Sequence, residues 1–332
     1  MDDPRRQGRG RGAPAGQDWS TTSRYLTAPA AAALKSACGV GTPAGQPLTT
    51  STNTACADEI LAVYSDGTTT GGKAAFDGHD HRRMEPSYAW AAQVLAGYSA
   101  AEVKGFAAKA RAENLAAPQG TTQTVGTRRV TGWVRYYDQQ RDLIATLRRA
   151  RFDVYVVSAS PQPVVQVWAA SLGIHADHVI GIRNKVKAGR FTPHLESCGG
   201  ADDDSVITYV DGKRCFINQE ILGAPPATAF NQQPAPKRQV FSAGDSDTDV
   251  TFVGDATALR LVLNRNKTEL MCRSYRNSDT KWLVNPMFIE PKAAKASPYP
   301  CSTTGYVNGD GSTSPVLDTD GTVIPDQVDT VH

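Results

Sequence analysis

The sequence predicts an α/β fold: a mainly parallel sheet covered by helices on both faces, with a helical insert. Three observations carry that prediction. Short apolar runs rich in Val, Ile and Phe alternate with helical patterns between residues 130 and 263, the order that builds a parallel sheet under helices. An Ala-rich stretch with helical spacing, residues 87–117, interrupts the alternation early. The chain has 332 residues, of which 40% are hydrophobic and 20% charged, enough to bury a sizeable core and unlike disordered or collagen-like chains.

Each element follows in chain order. Residues 18–56 are rich in Thr, Ala and Gly, with one short helix over 29–37 that Gly39 and Gly41 end. The run Glu59-Ile60-Leu61-Ala62-Val63-Tyr64 before Asp66-Gly67 reads as a buried strand and a tight turn. Ser87 to Tyr98 has helical spacing. Ser99-Ala100-Ala101-Glu102 is a capping-box sequence that opens a helix to about Ala117, broken by Pro118 and Gly120. A helix over 131–149, a strand over 152–157 and a helix from Pro161 to about Leu172 follow, the last stopped by Gly173. His178–Ile182 is a strand. Lys185–Leu195 and Val206–Val210 read as hairpin material, with turns at Ala188-Gly189 and Asp211-Gly212. A short helix from Lys213, a loop over 225–236, a strand over 239–243, a helix over 248–256 and a strand over 259–263 complete the pattern. No internal repeat stands out. The expected organisation is an N-terminal segment 1–56, an α/β core over 57–82 and 130–290, a helical cap over 83–129, and an extended C-terminal tail over 291–332.

Composition narrows the function classes. Thirty-five Lys+Arg against 33 Asp+Glu leave a formal charge of +2, which makes no electrostatic case for a dedicated nucleic-acid binder. No apolar run approaches the roughly 18–20 residues that span a bilayer. Residues 1–17 are Arg/Gly-rich, without the apolar stretch of a secretory signal, and are expected to be disordered. An RNA-associated role through that segment is a third reading. Six cysteines without a Cys-x-x-Cys pair argue against a zinc ribbon. Of the 15 possible connectivities, Cys38–Cys56, Cys198–Cys215 and Cys272–Cys301 is the simplest; six separate thiols is the alternative. Paired cysteines favour a periplasmic or secreted setting. Oligomeric state is not legible.

Ligands of parallel α/β sheets bind at the carboxyl ends of the strands, and three predicted strand ends here are polar. They are Tyr64-Ser65-Asp66-Gly67-Thr68, Ser158-Ala159-Ser160 and Gly244-Asp245-Ser246-Asp247-Thr248-Asp249, with Lys213 between the second and third. This ordered set resembles the haloacid dehalogenase superfamily, in its phosphatase branch near phosphoserine and secreted phosphorylcholine phosphatases, over roughly residues 58–290. The resemblance implies a Rossmann-like core, a small helical cap and a Mg²⁺-dependent phosphomonoesterase acting on a small phosphorylated molecule. It implies that Ser158, Ala159, Gly67 and Thr68 hold the phosphate and that Lys213 balances its charge. It further implies that Asp245, Asp249 and Asp66 hold Mg²⁺, and that Asp66 serves as general acid and base.

Each residue has a structural reading too. Ser158 can cap a helix, Lys213 can be a turn lysine with Lys185 and Lys187 as rivals, and Asp245 and Asp249 can be a cap and a solvated carboxylate. One position departs from the family pattern. The first Asp of Asp-x-Asp-Gly-Thr, the nucleophile, is Tyr64, a phenol with an ordinary pKa near 10. Asp77 or Asp80 is then the alternative acid, or a neighbouring group activates water, or the chain is a degenerate phosphatase that binds a phosphoryl ligand without turnover. His79-Asp80-His81 reads as a solvated loop or a weak metal pattern. Tyr88, Trp90, Trp133, Tyr136 and Tyr137 read as core packing or as a cage for a cationic head group.

Overall fold

The computed structural model describes residues 19–39, 48 and 50–332. The expected disorder of 1–17 falls outside the described residues. Helix α1 (Ala28–Cys38) starts at Thr27, whose side chain accepts from the Ala30 N–H, and ends at Gly39. Helix α2 (Thr54–Leu61) is capped by Asn53 and continues as a wider helical turn over Ala62–Asp66. The expected strand at 59–64 is therefore helical. An unbroken apolar run suits a buried helix as well as a strand, and three anchors favour the helix. Asn53 supplies the cap, Cys38–Cys56 ties α2 to α1, and the buried Glu59 carboxylate accepts the Thr70 N–H at 3.2 Å.

The insert begins with α3 (Pro86–Gln93) and α4 (Ala100–Ala116), the latter with the full Ser99–Glu102 capping box. A hairpin follows, β1 (Thr122–Val125) against β2 (Arg128–Thr131). The helix expected from 131 begins only at Asp138, as α5 (Asp138–Arg149), because 128–131 is committed to the hairpin.

The parallel core comes in two groups. Strand β3 (Val156–Pro161) pairs with β4 (Val179–Ile182), and α6 (Gln162–Ala170) crosses between them. A hairpin of β5 (Asn184–Lys187) and β6 (Arg190–Leu195) follows. Residues 206–210 form no strand; they lead into α7 (Asp211–Phe216), which widens over Ile217–Ile221. The second group is β7 (Phe241–Gly244), β8 (Leu259–Asn264) and β9 (Trp282–Pro286), all parallel, with α8 (Val250–Asp255) and α9 (Thr268–Arg276) as crossovers. Every β8 position after Leu259 is buried, as a central parallel strand requires. Among the described residues, β3 and β7 each have one unpaired edge.

The C-terminal segment is mostly extended, yet it is part of the core. Tyr299, Cys301, Val316 and Ile324 are fully buried against Val250, Val253, Val262, Leu270 and Met271. Strands β10 (Tyr306–Val307) and β11 (Thr313–Ser314) pair there. Two turns ten residues apart make the same bonds: Asn308 N–H to Ser312 O and Gly311 N–H to Asn308 O, then Asp318 N–H to Thr322 O and Gly321 N–H to Asp318 O. This short repeat escaped the sequence reading. All three expected cysteine pairs are disulfides.

Candidate active site

The turn after β7 is built by its last carboxylate. Asp249 folds back so that its Oδ2 accepts the N–H groups of Asp245 (3.0 Å) and Ser246 (3.2 Å). Gly244 makes this possible, since a side chain there would lie 2.6 Å from the Asp249 Cβ. The other oxygen, Oδ1, accepts from Lys213 Nζ at 2.5 Å, and Thr248 Oγ1 lies 3.3 Å from the same amine. Lys213 is fully buried and Asp249 nearly so, so each charge depends on the other. Lys213 reaches this point because Gly212 packs against residue 207; a Cβ would sit 1.9 Å from the Ile207 carbonyl oxygen.

Ser158 and Ala159 lie in the middle of β3, in buried positions. The Thr208 hydroxyl donates to the Ser158 carbonyl at 2.5 Å, so residues 208–213 join β3 to Lys213 and the β7 turn. The structure thus brings Lys213, Asp249 and Asp245 into one connected rim, with Ser158 attached through Thr208. Lys185, one rival of Lys213, instead pairs with Asp203 at the surface.

The first motif lies elsewhere. Tyr64 packs on the cluster of Trp19, Leu34, Val63 and Trp90, a core role and not a nucleophile's. Asp66 pairs with Arg128 of β2 at 2.6 Å, with its side chain 44% exposed. Asp58, about two turns before, accepts the Thr127 N–H at 2.7 Å. This acidic face docks the hairpin turn. Gly67 is the left-handed residue that ends the helical turn, at φ +65°, and Thr68 bridges to Ala74. None of the contacts described for Asp66, Gly67 or Thr68 reaches Lys213 or Asp245. Asp77, the alternative acid, is exposed, and its N–H bonds the Tyr25 carbonyl. Asp80 caps the Arg82 N–H at 2.8 Å.

Two residues at the rim were missed. Arg265, just past β8, places Nη1 3.0 Å from Asp245 Oδ2. Its position after a core strand was the available signal, but no motif flags it. Asp247 Oδ1 accepts the Leu270 N–H at the start of α9 (2.9 Å), and burial pushes its carboxyl up to about 6.

Mg²⁺ takes near-octahedral oxygen ligands and is held through one or two carboxylates. Among the described residues no group of three His, Cys, Asp or Glu side chains could hold a metal ion. Both Asp249 oxygens accept hydrogen bonds, Asp245 is paired with Arg265, and Asp66 is paired with Arg128. As arranged, these carboxylates do not fit the expected Mg²⁺ site. The rings of His79 and His81 lie 4.1 Å apart, tilted by 41°; burial first, then the neighbouring His81, lowers the His79 pKa. The aromatics expected to form a cage meet other groups of the chain, Tyr88 packing on Tyr209 and Tyr137 on Phe288. Arg111 lies over Tyr136 and Trp168, Arg135 lies over Trp133, and Trp90 is buried.

No helix among the described residues is long and apolar enough to cross a membrane. No curated protein matches the chain significantly. Two solved structures are similar. One is a conserved, functionally unknown protein from Anaerococcus prevotii DSM 20548, at 20% identity over 58% of this chain and 51% of that one, with a TM-score of 0.42. The other, a protein of unknown function from Bordetella pertussis Tohama I, has 17% identity over 68% and 79%, with a TM-score of 0.43. At those values neither likeness bears on function. The model of the haloacid dehalogenase-like hydrolases matches residues 65–253. That stretch is more than half of the chain and holds both Lys213 and the Gly244–Asp249 turn, so this chain belongs to the haloacid dehalogenase-like hydrolase family.

Proposed function

We propose that this chain is a hydrolase of phosphoric monoesters whose rim takes the phosphoryl group of a small phosphorylated molecule. The observation that carries this reading is the buried Lys213–Asp249 pair on the β7 turn. A buried amine at a strand end supplies fixed positive charge where a phosphoryl group spreads negative charge over its oxygens. Ser158, joined to the same rim through Thr208, supports a hydroxyl and backbone N–H contact to those oxygens. The family resemblance adds Mg²⁺ as the usual partner, but no step here is assigned to it. Three disulfides support a periplasmic or secreted setting.

A second reading has its own support: a phosphoryl-ligand binder without turnover. It rests on the core packing of Tyr64 and the Asp66–Arg128 pair, which leave the rim without the family's nucleophilic carboxylate among the described residues.

Two measurements on the full chain decide between them: release of p-nitrophenol from p-nitrophenyl phosphate, and calorimetric binding of inorganic phosphate. The hydrolase reading expects turnover that falls at least about tenfold in Ser158→Ala, the loss of one or more charge-assisted contacts. Phosphate binding without turnover establishes the second reading. Absence of both removes the rim as a phosphoryl site.

A further inference from the structure

Lys213 reaches Asp249 from a segment under strain. Val210, three residues earlier, is buried at φ +42° and ψ −104°, a conformation that a β-branched residue keeps only when its surroundings impose it. The constraint comes from the chain just before α3. The Arg83 carbonyl accepts the Ile207 N–H at 3.0 Å, and the Arg82 carbonyl accepts the Asp211 N–H at 2.9 Å. Residues 82–83 thus bracket the strained residue from both sides.

The Arg82 guanidinium completes the bracket. Its side chain is 10% exposed, and it reaches the first turn of three helices. On α7, Nε and Nη2 face the two Asp211 carboxylate oxygens, each at 3.4 Å. On α9, Nη1 donates to Glu269 Oε2 at 2.6 Å. On α8, Nη2 lies 3.4 Å from the Thr251 hydroxyl, which itself donates to Asp211 Oδ1 at 2.6 Å. The Tyr306 ring covers the guanidinium at 4.3 Å. The rim is attached at these same helix starts. Lys213 is two residues past Asp211, and Asp249 is two before Thr251. The Leu270 N–H that Asp247 accepts follows Glu269 directly. A planar fork with five donors serves such separated acceptors at once.

We propose that Arg82 is a positioning residue for the rim: its guanidinium locks the starts of α7, α8 and α9 together and so holds residues 208–213 where Lys213 meets Asp249. The inference deepens the phosphoryl reading and rests on it for what Lys213 does, but not for how Lys213 is held. With the fork removed, Val210 is released to an ordinary conformation and Lys213 withdraws from Asp249. Glu269 keeps Arg273 as a partner, so the damage falls on the rim.

The test is a pulse of reductive methylation on the full chain, with the Lys213 peptide read by mass spectrometry. In the parent, Lys213 is fully buried and is expected to resist labelling. In Arg82→Gln its labelling is expected to rise at least about tenfold, the scale of coupling within one buried network, while circular dichroism shows a folded chain. Arg260→Gln is the control. Arg260 is as buried, at 11%, and pairs with Asp279 at 2.7 Å, but it stands at the opposite end of β8 from the rim; its variant is expected to label like the parent. Should Arg82→Gln fail to fold, Glu269→Gln weakens the same fork and is expected to raise labelling about threefold or more. Unchanged labelling in both variants, or an equal rise in Arg260→Gln, overturns the proposal. Turnover of p-nitrophenyl phosphate tests the reading beneath it. In Arg82→Gln, kcat is expected to fall at least about tenfold with KM nearly unchanged, the mark of a contact made only in the transition state. Raised labelling with no turnover by the parent, or with a parent-like kcat in the variant, sinks the role of Lys213 in hydrolysis and leaves its positioning by Arg82 standing.

Discussion

Asp247 sits in the middle of the Gly244–Asp249 turn, yet its role differs from that of its two neighbours. Asp245 and Asp249 each have a cation; Asp247 has the Leu270 N–H and a burial cost. A carboxyl that is harder to ionise when folded binds its proton more tightly in the folded state. Its contribution therefore favours folding at low pH and is lost as pH rises from about 4 through about 6. Asp247→Asn keeps the acceptor for Leu270 and removes the charge. It is expected to stabilise the protein above pH 6 by about 2 kcal/mol, and by much less at pH 4. Urea unfolding at the two pH values checks this; equal gains at both would remove the titration from the explanation. The Gly-Asp-Ser-Asp-Thr-Asp spacing made this turn legible in advance, because its backbone and carboxylates close on each other locally. Arg265 and Thr208 were not legible, since their partners come together only when distant segments pack. Tyr64, at the family's nucleophile position, is hard to read for a simple reason: an aromatic beside Asp66 looks the same in sequence whether it lines a site or fills a core.

At the level of single elements, local chemistry was read best. The Ser99–Glu102 box sits where the sequence put it, with Glu102 Oε2 accepting the Ser99 N–H at 2.8 Å and the Ser99 hydroxyl at 2.7 Å. Replacing Ser99 by Ala should cost about 1 kcal/mol in equilibrium unfolding. A change under a few tenths would mean that α4 is held by its packing on α6 alone. Elements decided by tertiary context were read less well. The run at 59–64 had no alternation to separate strand from helix, and its disulfide and the Glu59 contacts settled the matter. The start of α5 slipped by seven residues because 128–131 pairs with 122–125 in a hairpin that no turn signature strong enough announced. The α/β alternation between 156 and 264 was readable because strands buried on both faces are continuous apolar runs closed by Gly and Pro.

For the molecule as a whole, the covalent framework and the C-terminal segment matter most. Cysteine spacing suggested three neighbour pairs, and all three form. Cys272–Cys301 closes a loop of sequence separation 29 and links α9 to the segment that fills the core. Losing it should cost about 3–4 kcal/mol by chain entropy. Cys272→Ala with Cys301→Ala, compared with the parent by denaturant midpoint, measures this, and proteolysis near 303–312 should quicken in the variant. An unchanged midpoint would show that packing alone retains the segment. Residues beyond 291 look like a tail because Pro, Ser, Thr and Gly dominate there; of their apolar side chains Tyr299, Val316 and Ile324 are buried, whereas Val307, Leu317, Val323 and Val328 are exposed. The position of the buried three has a bearing on biosynthesis. Val250, Val262 and Leu270 leave the ribosome well before the side chains that cover them, so the nascent polypeptide must carry an open apolar surface until the segment from Tyr299 to Ile324 has been translated, the interval in which a chaperone would be most needed.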